Sequence, residues 1–171
     1  MKWFWADPHL GHEGIIDSCN RPFRNTKQMD NTLIRNYNEL IEDEDEVYIL
    51  GDFSLATKTH KGYLNQVCSK LKGRKHLIPG NHDVDSYTFY AGDRGIGFFS
   101  VHYPFHIIDE FILCHDPALS QIDRTRPFIV GHVHTLFKRL ENCLNVGVDM
   151  WDFKPVSIDQ VRFEFEDMLK K

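Results

Sequence analysis

A chain of 171 residues suits one domain and is long enough to bury a sizeable core. Its formal net charge of −5 and isoelectric point near 6.0 argue against a broad basic surface that grips nucleic acid regardless of sequence. A small nucleotide or a short strand end stays compatible with that charge as a substrate. Cys19, Cys68, Cys114 and Cys143 form no Cys-x-x-Cys pair, so neither a structural zinc site nor a redox motif is indicated. Scattered cysteines fit a reducing cytoplasm. The apolar N-terminal stretch is too short for a signal peptide, and no run reaches membrane-spanning length. The expected setting is therefore cytoplasmic, without a membrane partner.

In chain order, residues 3–6 read as a short buried strand that runs into Asp7. Thr26 can cap a helix over 26–41, with Met29, Leu33, Tyr37, Leu40 and Ile41 as its apolar stripe. The acidic run 42–46 reads as a solvated loop. A second strand spans 47–50, and Asp52 follows it. A helix over about 60–71 would bury Leu64, Val67, Cys68 and Leu71, with Gly73 marking its end. Residues 76–78 form a third strand leading into Gly80. Strand, polar loop and helix in repetition predict a mostly parallel α/β sheet. Sites in such sheets form at the carboxyl ends of strands.

The second half changes character. Residues 98–108 and 110–114 predict an antiparallel hairpin turning near Asp109, followed by strands over 128–130 and 143–148. Ser157 and Gln160 resemble a capping box for a final helix to about residue 169. The expectation is two sheets packed face to face with helices outside.

Short blocks of metal-ligand residues end these strands. Asp7-Pro8-His9 pairs a hard carboxylate with an imidazole two residues on, although a turn Asp and a surface His would read the same way. Gly51-Asp52 is a common turn pair, yet its carboxylate can bridge two cations with one oxygen for each. Gly80-Asn81-His82-Asp83 offers a neutral amide ligand, an imidazole able to protonate a leaving oxygen, and Asp83 to orient that imidazole. Gly131-His132-Val133-His134 puts two imidazoles on one face of an extended segment. His115 closes an apolar run at a strand end as the other ligands do; His102 is the alternative, and His106 shares its strand parity. Cys114 reads as a small buried residue.

This ordered series resembles the calcineurin-like metallophosphoesterase superfamily over about residues 3–149. Gly11-His12-Glu13-Gly14-Ile15-Ile16, Arg21-Pro22-Phe23 and Asn145-Val146-Gly147-Val148-Asp149-Met150-Trp151 resemble its compact bacterial and phage branch. The resemblance implies a four-layer αββα sandwich, the metallo-dependent phosphatase fold, around a dinuclear centre. One divalent ion would be held by Asp7, His9, Asp52 and His134. The other would be held by Asp52, Asn81, His115 and His132, with Asp52 bridging and His82 catalytic. Mn is the first expectation for the metal, with Fe, Ni, Co and Zn also suited to such donors.

The implied reaction is phosphoester hydrolysis by a hydroxide shared between cations about 3.5–4 Å apart. Two departures narrow it. Many relatives continue Gly-Asp with Asp-Arg, whereas this chain reads Gly51-Asp52-Phe53-Ser54. The fourth block reads Cys114-His115-Asp116-Pro117, where relatives often have Ser-His-Tyr-Pro. Phosphate contacts must then come from elsewhere, with His12 and Arg21 as candidates. The missing pair favours small or nucleotide phosphodiesters over monoesters and nucleic-acid strands. The rival from another class is a non-catalytic protein-interaction module on the same scaffold, which is expected to have lost ligands; none is missing here.

Overall fold

The computed structural model describes residues 1–55, 61–83 and 97–169. Two five-stranded mixed sheets face each other. The first contains β1 (Lys2–Trp5), β2 (Glu46–Ile49), β3 (Arg74–Leu77), β4 (Ser100–Val101) and, at one edge, β10 (Val156–Ser157). Strands β1 to β4 run parallel, and β10 pairs antiparallel with β1. The second sheet contains β5 (Phe105–Ile108), β6 (Phe111–Cys114), β7 (Phe128–Val130), β8 (Arg139–Leu140) and β9 (Cys143–Asn145), in the order β5-β6-β7-β9-β8.

Strands β1, β2, β6 and β7 carry apolar residues on both faces, and alternation sorts their side chains between layers. Trp3, Trp5, Val47, Ile49 and Leu77 point outward beneath α2 (Thr26–Asn38) and α3 (Lys61–Cys68), where they meet Met29, Leu33, Tyr37 and Leu64. Their strand neighbours Phe4, Tyr48, Leu50 and Ile78 point inward and meet Leu113, Ile129 and Leu144 of the second sheet. The helix α4 (Ile158–Glu164) adds Ile158 and Val161 to this inner core. Two further short helices are α1 (Gly14–Ser18) and α5 (Glu166–Leu169). On the outer face of the second sheet, Leu119 from the 3₁₀ helix Pro117–Ile122 and Phe137 pack against Ile112, Cys114, Phe128, Val130 and Cys143. Among the described residues, a 3₁₀ helix and a loop form this fourth layer.

The expected strands and helices appear, with physical corrections. Asn25, not Thr26, caps α2: its side chain accepts from the Gln28 N–H in extended geometry. That helix stops at Asn38, so Leu40 is largely exposed while Ile41 is buried. The helix expected over about 60–71 is described from Lys61, and His60 lies outside the described residues. Asp45 in the acidic run is buried and accepts from the Trp3 indole N–H at 3.0 Å. The run 98–108 divides between sheets: β4 extends the first in parallel, and only β5 forms the hairpin with β6. The second sheet is not a hairpin stack either, because β6, β7 and β9 are parallel. Ser157 and Gln160 do form a capping box, but the helix they start ends at Glu164.

Candidate metal centre

Five strands deliver the candidate ligand loops: parallel β1, β2 and β3 from the first sheet, and parallel β6 and β7 from the second. Their carboxyl ends converge where the sheets are stitched together. The Val148 N–H donates to the Ala6 carbonyl at 3.0 Å, and the Ala6 N–H donates to the Val146 carbonyl at 3.2 Å. The Asp7 N–H reaches the Gly51 carbonyl at 3.1 Å, and the Gly131 N–H reaches the His115 carbonyl at 3.0 Å.

Backbone conformation here is costly. Asp7, His9, Asp52, His132 and His134 all have positive φ, between 45° and 73°. Non-glycine residues adopt this region rarely, and clusters of such strain mark functional sites. The flanking glycines allow the loops to touch. A Cβ on Gly51 would lie 2.4 Å from His115 Nδ1, and one on Gly80 would lie 2.3 Å from Asp52 Oδ1. Neither space exists for a side chain.

The structure gathers all the expected ligands. Donor atoms of Asp7, His9 and His134 lie within 4.8 Å of one another, as do those of Asp52, His115 and His132. Asp52 joins the groups: its Oδ2 is 3.5 Å from His9 Nε2 and 3.5 Å from His115 Nε2. Its Oδ1 instead accepts the His82 backbone N–H at 3.0 Å, so the groups meet at one oxygen rather than at one each. Asn81 Oδ1 stands 3.1 Å from His115 Nε2, and His132 Nδ1 stands 3.2 Å from the same atom. His102 lies elsewhere, bonded to Ser100 and stacked on His106, which leaves the place to His115.

Three observations fit this pocket to cations. Among the described residues, His9 Nε2 is buried with no hydrogen-bond partner, which is costly for a polar atom unless something binds it. Burial lowers His9 to about 3, keeping the ring in its neutral, ligating form. His115 Nδ1 is paired with the Leu50 carbonyl at 2.8 Å, which turns Nε2 toward the centre. The charges are tense without a cation. Burial raises Asp7 to about 6, against the pull of His115 and His134. Burial also opposes charge on Asp52 and His115, but their mutual pairing prevails. Asp52 is held at about 2 and His115 at about 9, a proton standing where positive charge is wanted.

Of the remaining expectations, His12 lies at the site, its Nδ1 3.3 Å from His9 Nδ1. Its ring centroid is 6.3 Å from that of His82. Arg21 requires correction. Its side chain is fully buried, so it cannot reach a substrate phosphate. The guanidinium grips Asp149 through Nε at 2.8 Å and a terminal nitrogen at 2.9 Å, and also binds the carbonyls of Asp7 and Pro8. Asp149 Oδ2 in turn is 3.0 Å from His134 Nδ1. Arg21–Asp149–His134 is thus a buried relay that sets one imidazole and the turn carrying Asp7. Sequence reading missed Asp149 as part of the centre, although it lies in the segment that carried the resemblance.

Asp83 also requires correction. Its fully buried carboxylate accepts from the N–H groups of Gly80 at 2.9 Å and Phe53 at 3.2 Å. It clamps two ligand loops together rather than orienting His82. The His82 side chain is 36% exposed, with Nε2 3.9 Å from Asp52 Oδ2 and its ring edge-on to His9.

The family model for calcineurin-like phosphoesterases matches residues 3–154, and the chain belongs to this family. The chain is 32% identical over 164 residues to the uncharacterized protein MJ1445 of Methanocaldococcus jannaschii, covering 91% of this chain and 86% of that protein. It is 35% identical over 83 residues to the Gene 66 protein of Mycobacterium phage L5, which spans 47% of this chain and 39% of that protein. Among solved structures, a protein of unknown function from Aquifex aeolicus, AQ665, superposes with a TM-score of 0.76 at 25% identity, covering 96% of this chain and 98% of that one. Family and fold together support metal-dependent phosphoester chemistry at this centre.

Proposed function

We propose that this protein is a metal-dependent phosphodiesterase acting on small or nucleotide diesters. The observation that carries the reading is the meeting of two donor groups, Asp7/His9/His134 and Asp52/His115/His132, at the buried Asp52 carboxylate. With Asn81, these residues would hold two divalent ions, Mn being well suited to mixed oxygen and nitrogen donors. Such ions neutralise phosphoryl charge and lower the pKa of water.

The chain's own groups supply the rest. His82, its side chain 36% exposed and its Nε2 3.9 Å from Asp52 Oδ2, would give its proton to the leaving oxygen as that P–O bond breaks. The oxygen of a water molecule takes its place on phosphorus, and its proton passes to solvent. His12 borders the same space and can contact a phosphoryl oxygen. Diester preference is supported by what the candidate grips are used for: Arg21 is spent on Asp149, and Phe53 follows Asp52 as a buried core residue. A singly charged diester asks less cationic help than a doubly charged monoester.

The test is a Mn-supplemented panel of monoesters, linear diesters and 2′,3′- and 3′,5′-cyclic nucleotides. Diesters should turn over fastest. Faster monoester cleavage would make it a phosphomonoesterase. A protein that binds no metal and cleaves nothing would be an interaction module.

A further inference from the structure

Beside His12 a cavity of about 520 Å³ opens between α2 and α3. Cavities of roughly 300–1,000 Å³ suit small-molecule groups. Its floor is rigid. Asp30 on α2 is buried, accepts the Tyr63 hydroxyl from α3, and also accepts the Gly11 N–H at 3.1 Å. Gly11 itself is left-handed, and a Cβ there would come 3.1 Å from the Tyr63 ring. The loop carrying His9 and His12 is therefore tied to the cavity floor by its own backbone.

The lining has two characters. Ile34 and Val67 offer apolar wall. The Asn31 and Gln66 amides stand exposed at the same cavity, and among the described residues neither side chain has a hydrogen-bond partner. Lys27 and Lys70 stand at exposed positions of its lining. Apolar wall and free amides together match a nucleoside: a flat ring to bury, and base or sugar edges to pair.

Position ties the cavity to the chemistry. His82 is the proton donor to the leaving oxygen under the reading above, and His12, which lines the cavity, is 5.3 Å from His9 and 6.3 Å from His82 by ring centroids. A leaving group protonated by His82 on the His12 side would extend toward the cavity. We propose that the α2/α3 cavity binds the leaving nucleoside of a nucleotide phosphodiester, with Asn31 and Gln66 setting specificity. This rests on the phosphodiesterase reading and adds the substrate class and the residues that select it.

The experiment compares the Mn-loaded protein with the double variant Asn31→Leu/Gln66→Leu, both surface positions. Two substrates are used, bis(p-nitrophenyl) phosphate and a 3′,5′-linked diadenosine dinucleotide. Loss of two neutral hydrogen bonds should raise KM for the dinucleotide about tenfold or more, while kcat and all aryl diester kinetics stay within about twofold. An unchanged dinucleotide KM, with aryl diester activity intact, would overturn the cavity assignment and leave the phosphodiesterase reading standing. Equal losses on both substrates would also overturn it. Absence of hydrolysis of both substrates by the unaltered protein would remove the reading itself, and the cavity assignment with it.

Discussion

Replacing Asp149 by Asn tests whether the buried relay tunes one half of the metal centre. The substitution keeps the shape but removes the charge. Arg21 donates two hydrogen bonds to this carboxylate, at 2.8 and 2.9 Å, and His134 Nδ1 approaches it at 3.0 Å. An amide has one accepting oxygen, and its nitrogen would confront a donor. The Arg21 side chain is fully buried, so its charge would lose its counterion without gaining water. Breaking such a pair costs about 3–5 kcal/mol. For a domain of this size that corresponds to a fall in Tm of about 6–20 °C. Ligand affinity should change selectively. Loss of a partner that orients a ligating imidazole weakens metal binding about 10–100-fold. Only an ion held by the Asp7, His9 and His134 group, as proposed, should be affected, because His134 is the candidate ligand paired with Asp149. Calorimetric Mn titration of the folded variant below its Tm would show one weakened and one unchanged site. Two unchanged affinities, with Tm within about 2 °C of the parent, would refute the reasoning.

Other consequences follow from the same contacts. Arg21→Lys keeps the charge but not the fork that spans both Asp149 oxygens and the Asp7 carbonyl, so thermal melting should show a loss of about 1–3 kcal/mol. Gly80→Ala would put a Cβ 2.3 Å from Asp52 Oδ1, displacing the shared carboxylate. Bound metal measured by elemental analysis should fall below one equivalent, with about 1–3 kcal/mol lost in urea unfolding. Burial pushes the Cys68 and Cys114 thiols up to about 12. Their folded pKa values exceed the unfolded ones, so their stabilisation is complete below about pH 8.5 and is lost as pH rises toward 12. Between about pH 9 and 11 each thiol should contribute a decline of about 1.4 kcal/mol per pH unit, read as a shallower slope when Cys68→Ala and Cys114→Ala are compared with the parent.

The convergence of the candidate ligands was legible in the sequence because each follows a strand, and parallel strands must present their carboxyl ends together. The left-handed turns at Asp7, His9 and Asp52 were not legible, since strain of that kind is held by contacts between loops far apart in the chain. The Arg21–Asp149 pair spans 128 positions and has no local signature. Asp83 misled through adjacency: its place beside His82 suggested a side-chain partner, whereas the tight turn points its carboxylate inward at the Gly80 and Phe53 N–H groups. The segment around residues 98–108 reads as one extended run, and only tertiary pairing divides it between two sheets. Asn25 and Thr26 are both good caps, and backbone geometry chose the earlier one.

The central claim is that the cations at Asp52 and the imidazole of His82 do separate work in phosphodiester cleavage. Metal content and turnover of bis(p-nitrophenyl) phosphate, measured together on His82→Ala and Asp52→Asn, test it most directly. His82→Ala should keep both metal equivalents and lose about 10²–10⁴-fold in kcat, while Asp52→Asn should lose metal and turnover together. Unchanged turnover in His82→Ala, or turnover in the unaltered protein that ignores added and chelated metal alike, would contradict the account.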